Sequence, residues 1–224
     1  MKTFSIGGVH PAENKLSAGS PIREAALPKQ AIFSMFQHIG APAKPVVKKG
    51  DVVKVGTLLG EAGGFVSAPI YSSVSGKVSK VDVALDASDT RRMAVYVDVE
   101  GDEWEESIDR TPDLVRMEDR PDLDAQAIIE KIKQAGIVGM GGAGFPTGVK
   151  LGTDLDGGYI LINAAECEPG LKHNVMQIEN EADKVIRGVK YCMEIANAAK
   201  AIFAIKKKNE KAVIAAVVAA VVIV

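Results

Sequence analysis

The stretch Gly136-Ile-Val-Gly-Met-Gly-Gly-Ala-Gly-Phe-Pro-Thr-Gly-Val-Lys150 most narrowly limits what this chain can fold into. Six glycines fall within the thirteen residues from Gly136 to Gly148. Glycine lacks a Cβ and reaches positive φ freely, so such a run lets main chain come close to a ligand or to another element. Successive N–H groups turned to one side make a concavity suited to phosphate and other anions. Pro146 fits the first turn of a following helix, where its missing N–H costs nothing. That helix would direct its positive end at the loop, and Lys150 adds a mobile positive charge. Gly139 to Gly144 reads G-x-G-x-x-G, yet no strand precedes it as a dinucleotide fingerprint requires. No Gly-Lys-Ser/Thr follows, so it is not a Walker loop. A tight turn between helices and a ligand-binding loop are both open; the number of glycines favours the second.

Length allows one large domain or two small ones. Charge is mixed and close to balance at −2, and 47% of the 224 residues are hydrophobic, as in a globular chain without the basic excess of a nucleic-acid binder. The start, Met1 to Gly8, lacks the apolar core of a signal peptide. No apolar run reaches the ~18 residues of a membrane helix, Ala212–Val224 coming nearest. Two cysteines, Cys167 and Cys192, are too few for a disulfide framework and fit a reducing compartment. They cannot hold an iron–sulfur cluster alone, which takes four ligands. His10 and His38 are too far apart to suggest a metal pair, and no metal site is expected.

Residues Met1–Ile39 are punctuated by Gly7-Gly8, Pro11, Pro21 and Pro28 and read as irregular, with Ala31–His38 a short strand or helix. From Ala43 onward short apolar pieces alternate with turns at Lys49-Gly50-Asp51, Val55-Gly56, Gly63-Gly64 and Ser75-Gly76-Lys77. That spacing predicts a small sandwich or barrel, and Ala94–Glu100 continues it as an alternating strand. The run from Val46 to Val81 resembles a lipoyl- or biotinyl-type hammerhead, the barrel-sandwich hybrid. The turn that would carry a modified lysine reads Gly63-Gly64-Phe65, so a prosthetic-group carrier is not expected. An acidic, proline-bounded linker follows, in which Trp104 is read as a packing plug between domains. Asp124–Ala135 is predicted as a helix capped by Asp122 or Asp124 and ended by Gly136. Tyr159–Ile162 reads as a strand buried on both faces, ending in Asn163-Ala-Ala-Glu-Cys-Glu-Pro-Gly170. A long amphipathic helix over Ala182–Ala196, a second buried strand at Ala201–Ile205 and a helix at Asn209–Val218 complete an α/β layer. Polar groups at the carboxyl end of such a strand are where open α/β sheets bind ligands.

With "GIVGMGGAGFPTGVKL" and "INAAECEPG" together, the chain resembles the N-terminal half of RnfC, a component of the Rnf electron-transport complex. "GGVHPAENKLS", "FQHIGAPAKPVVKKGD" and "SAPIYSSVSGKV" follow that pattern in order, so the likeness spans nearly the whole chain. Its second half is also similar to the flavoprotein subunit of respiratory complex I. The resemblance implies an N-terminal segment and barrel-sandwich hybrid over 1–105, a linker over 106–123, and an incomplete α/β domain for FMN and NADH over 124–224. It implies an electron-transfer subunit of an NADH:ferredoxin oxidoreductase that moves ions. Such a protein sits peripherally on the cytoplasmic face of the membrane, with the other Rnf subunits as partners and ferredoxin as an indirect one. It further implies a continuation past Val224 that holds 4Fe–4S clusters.

Carried over by position, Gly139, Gly141, Gly142 and Gly144 line the FMN phosphate and ribityl chain, with Lys150 near the flavin. Phe145 contacts the dinucleotide, Asn163 and Glu166 the flavin, and Glu168 the nicotinamide nucleotide. Ala165 replaces an aspartate of the complex I relatives, and no aromatic follows Leu151 where they place a second ring. Of Glu166 and Glu168, one is read as facing ligand and the other structure. Cys167, flanked by carboxylates that raise a thiol's pKa, is read as a small, partly buried side chain, and Cys192 as core. The alternative reading is a non-catalytic docking module with a vestigial nucleotide pocket.

Overall fold

The computed structural model describes residues 12–17, 19–86, 88–110, 124–140, 142–166 and 168–222. They pack as two compact units. One is Glu24–Asp154; the other joins Leu155–Val224 to the described part of Met1–Arg23. The boundary lies inside the stretch expected as one α/β domain, so the helix before the glycine loop and the loop itself fold with the β-rich unit.

The β-rich unit is a barrel-sandwich hybrid of two antiparallel sheets. The first orders β1 (Gln30–Ser34), β7 (Arg91–Gly101), β6 (Ser75–Leu85) and β3 (Val52–Val53); the second orders β2 (Lys44–Pro45), β4 (Leu58–Glu61) and β5 (Ile70–Tyr71). Alternating side chains from both sheets meet in one core of Phe33, Met35, Val53, Leu59, Ile70, Val74, Val78, Val95 and Val97. Stacked sheets need one apolar face each, and the period-2 pattern of these short strands supplies it. The Ala31–His38 ambiguity resolves as strand β1, because its residues pair with Ala94–Asp98 at the sheet edge.

Ser75-Gly76-Lys77 is not the turn expected from sequence. It lies inside β6, where the register with β7 shifts between Ser75 and Gly76. Asp98 O occupies the place a Cβ on Gly76 would take. The glycine therefore marks a bulge where two backbones approach, which looks like a turn when read alone. Trp104 bridges to Val55 on this unit, with the Arg110 guanidinium 4.6 Å over its ring. The remainder of the expected linker, 111–123, lies outside the described residues.

Helix α1 (Ala125–Gln134) completes the unit. Asp124 Oδ1 accepts the Ala127 N–H at 2.8 Å, the N-cap expected of aspartate. Gly136 ends the helix at φ +67, its N–H donating to Lys133 O. The Tyr71 hydroxyl donates to the Gln134 carbonyl, satisfying a helix-end acceptor from the barrel, and burial raises its pKa.

The second unit alternates β8 (Gly158–Ala164), α3 (His173–Ile195), β9 (Ala198–Ile205) and α4 (Glu210–Val222), with β8 and β9 parallel. Helices α3 and α4 cover one face through Val175, Ile178, Ala212 and Ala216 against Ala164 and Ile205. The opposite face is open: Tyr159 is 62%, Leu161 67% and Ile202 46% exposed. The wholly apolar strands expected to be buried on both sides are thus covered on one. Composition reports how apolar a strand is, but the number of layers packed on it is a tertiary matter. Helix α3 also begins nine residues earlier than its apolar stripe suggested. Its first turn is held by a side chain from the preceding loop, and it is interrupted by a non-helical Glu181.

Candidate functional site

The glycine loop is closed at its base by an isolated antiparallel bridge between Val138 and Pro146. The Gly139 N–H donates to Phe145 O at 2.9 Å, and the Thr147 N–H to Ile137 O at 2.9 Å. Helix α2 (Thr147–Leu151) follows, with Pro146 as its N-cap. Proline thus stands one residue before the first turn expected to contain it, so that its carbonyl accepts from Val149 and Lys150.

The glycines here do two different jobs. A Cβ on Gly136 would lie 2.5 Å from Pro69 O, and one on Gly144 3.1 Å from His38 Cα. A Cβ on Gly148 would collide with Lys133 of α1. These three let the loop and α2 pack against the barrel and α1. Gly139 and Gly142 have no such reason: both are exposed, Gly139 would meet only Phe145 main chain at 3.7 Å, and Gly142 nothing within 4 Å. Their open side is the part of the loop available to a ligand. Gly141 lies outside the described residues. Phe145 is half-buried and Lys150 exposed on α2.

The loop is braced by a segment of the barrel. Ile39 N–H donates to Gly144 O at 3.2 Å. Next to it His38 is buried, at 4% exposure; its Nδ1 lies 3.0 Å from Ile39 O, and its Nε2 lies 3.1 Å from Ala68 O and 3.2 Å from Ala68 N. Main chain meets the ring at both nitrogens, so this histidine is a structural pin. The sequence indicated only that it is too far from His10 to suggest a metal pair.

In the other unit, the segment after β8 turns sharply. Asn163 is exposed, its Oδ1 accepting the Ala165 N–H at 3.1 Å to close a small turn. Glu166 takes φ +29 and directs its carboxylate inward, where the side chain is 3% exposed. It accepts the Asn174 and Val175 N–H groups at 3.2 and 3.4 Å and lies 3.3 Å from His173 Nδ1. A carboxylate at the first turn satisfies free N–H groups and meets the positive end of the helix. Glu166, expected to touch flavin, is thus committed to starting α3, whereas Glu168 is exposed. Cys167 lies outside the described residues. Cys192 on α3 is only partly buried, and burial raises its thiol pKa.

Glu166→Ala is expected to destabilise this unit by roughly 1–3 kcal/mol, since it leaves two part-buried donors without this partner. Urea unfolding followed by helix signal measures it; an unchanged midpoint would remove Glu166 as the α3 cap. His173, six residues beyond Cys167, has no partner legible in the sequence, because only the reversal after β8 brings it to Glu166.

Known families match both parts of the chain. The RnfC barrel sandwich hybrid domain matches residues 2–102, and the Nuo51 FMN-binding domain matches 132–222. The RnfC protein of a proton-translocating ferredoxin:NAD(+) oxidoreductase complex from Clostridium ljungdahlii is 39% identical over 217 residues, 95% of this chain and 46% of that protein. The chain matches the N-terminal half of RnfC proteins. The RnfC protein of a Na(+)-translocating complex of the same kind from Acetobacterium woodii is 39% identical over 92% of this chain and 46% of its own length. Its counterpart in an ion-translocating oxidoreductase complex from Serratia proteamaculans is 34% identical over 93% of this chain and 29% of its own length. The chain spans about half the length of the first two RnfC relatives. Among the described residues, no helix of this RnfC-type chain is long and apolar enough to cross a membrane.

Proposed function

We propose that this chain forms the flavin- and NADH-binding part of an Rnf-type electron-transfer subunit. It would serve a ferredoxin:NAD oxidoreductase complex that couples electron flow to ion movement. The observation that carries the reading is the open side of the glycine loop, where Gly139 and Gly142 are exposed without a packing reason. That cradle fits FMN: close main-chain approach is what a phosphate and ribityl chain require, and Lys150 supplies positive charge. FMN, when bound, supplies an acceptor that takes two electrons together and releases them singly. The protein's part is to bind and orient.

In this reading Gly139, Gly141, Gly142 and Gly144 present main chain to the flavin's phosphate and ribityl, and Phe145 lies against the dinucleotide. Asn163, at the carboxyl end of β8, is assigned to the flavin by the resemblance alone. Glu168 accepts hydrogen bonds from the NADH ribose. Glu166 acts one step back, holding the α3 start and with it the shape of the loop. The remaining Rnf subunits are the partners, ferredoxin is reached through them, and the chain is peripheral on the cytoplasmic side of the membrane. Any 4Fe–4S clusters belong to sequence outside this chain.

The test is titration of the FMN-loaded chain with NADH and with NADPH. A carboxylate at the ribose repels the extra phosphate of NADPH, so NADH is preferred. Losing a charged hydrogen-bond partner costs roughly 1.5–3 kcal/mol, about ten- to a hundredfold in affinity. Glu168→Gln is therefore expected to weaken NADH by up to that much and narrow the preference, leaving FMN affinity in place. Equal NADH affinity in the two proteins would take Glu168 out of the site. It would favour the docking-module reading, to which the burial of Glu166 already lends some weight.

A further inference from the structure

The motif Glu13-Asn-Lys15, near the start of the chain, has no role in the function proposed above, yet the fold brings it to the loop that carries Glu168. The Gly170 N–H donates to Glu13 O at 2.7 Å. Lys15 Nζ donates to Glu168 O at 3.0 Å and also to Leu171 O. The strap is itself held from α4's side of the unit, since Lys208 Nζ donates to the Glu13 carboxylate and thereby lowers its pKa. The first half of the loop has ties of its own, the Asn163 turn and the Glu166 cap. The second half, Glu168–Leu171, takes its tertiary hydrogen bonds from Glu13 and Lys15 among the described residues. Pro169 has no N–H to offer, and Gly170 sits at φ +80, a conformation with little intrinsic preference for one loop path.

We propose that Lys15 is a positioning residue for the nucleotide-binding loop, clamping two of its carbonyls so that Glu168 is presented in one place. This rests on the assignment of Glu168 to the NADH ribose. Lysine suits the task because one ammonium carries three donors on a long stem and can serve two carbonyls at once. Lys15 is half-buried as a residue, and both of its bonds lie at the surface. Lys15 acts through Glu168 rather than on the ligand, so its removal should loosen nucleotide binding and leave the FMN loop, in the other unit, unaffected.

Lys15→Met and Lys15→Arg, each in the full chain, test this with two readouts. In the ligand-free protein, amide hydrogen exchange of the Glu168–Leu171 segment is expected to rise about tenfold in Lys15→Met, while the core of α3 keeps its protection. In the FMN-loaded protein, the NADH dissociation constant is expected to rise about tenfold with the FMN constant unchanged. Lys15→Arg, which retains a charged multiple donor, is expected to recover most of both effects. Unchanged exchange in Lys15→Met overturns the clamp. Raised exchange with unchanged NADH affinity overturns the positioning role and leaves a merely structural one. A wild-type chain that binds no NADH counts against the function proposed above, and exchange alone then decides for or against the clamp.

Discussion

FMN mixed with the Gly139→Val protein is expected to keep its fluorescence, while the wild-type chain quenches it. Gly139 is the informative glycine because its backbone is not in the left-handed region, so valine is not strained there. A Cβ at this position meets Phe145 main chain at 3.7 Å, an ordinary contact, and the residue is exposed. The fold therefore tolerates the branched side chain, and what it obstructs is a ligand lying on the loop. Overpacking of this kind costs typically about 1–3 kcal/mol, which is roughly five- to over a hundredfold in affinity. Gly142→Val also adds a Cβ with no protein atom within 4 Å, but the glycine's φ of +159 strains the backbone as well, so it is the less clean of the two variants. Gly144→Val is the contrasting variant. Its Cβ would press on His38, so it should lower the stability of the barrel unit as well as FMN binding. If Gly139→Val and Gly142→Val both quench FMN as the wild type does, the glycine loop is not the flavin site.

Leu59→Ala is expected to be the most destabilising single core change, lowering the stability of the barrel unit by roughly 2–5 kcal/mol. Leu59 is 0% exposed on β4 and belongs to the same core cluster as Met35, Val53 and Val95, shared by the two sheets. The cost combines lost burial with a cavity that two hydrogen-bonded sheets cannot close by shifting. Since a domain's whole stability is of the order of 5–15 kcal/mol, denaturant unfolding should show a large drop in midpoint. The flavin site should feel it too. The glycine loop rests on Gln37–Ile39, whose His38 is bonded to Ala68 on the adjoining strand connection, so loosening the barrel loosens the brace. FMN affinity is expected to fall with stability in Leu59→Ala, and to return on cooling or in a stabilising osmolyte. A midpoint within experimental scatter of the wild type would mean that the barrel core does not depend on Leu59. Full FMN affinity in a clearly destabilised variant would mean that the loop does not depend on the barrel.

The amino-acid sequence by itself determined the parts whose cause is local. The spacing of short apolar pieces pointed to a small sandwich or barrel, because strand alternation is a period-2 property visible in a few residues, and the resemblance narrowed this to a barrel-sandwich hybrid. Asp124 and Gly136 set the ends of α1 because capping involves groups three or four residues apart. The order of strand and helix after Gly158 was equally legible, and the motifs carried the Rnf resemblance. Tertiary structure decided which glycines serve packing and which lie open, since Pro69, His38 and Lys133 are distant in sequence from the positions they crowd. It turned Glu166 inward to α3 and left Glu168 exposed, although the two differ by two positions and no property of the residue type. It left one face of β8 and β9 open where composition suggested cover on both. And it brought Lys15 to Glu168 across 153 positions, a contact made only when the two ends of one compact unit meet. Local propensity acts over a handful of residues, whereas these choices depend on which remote atoms occupy the neighbouring space.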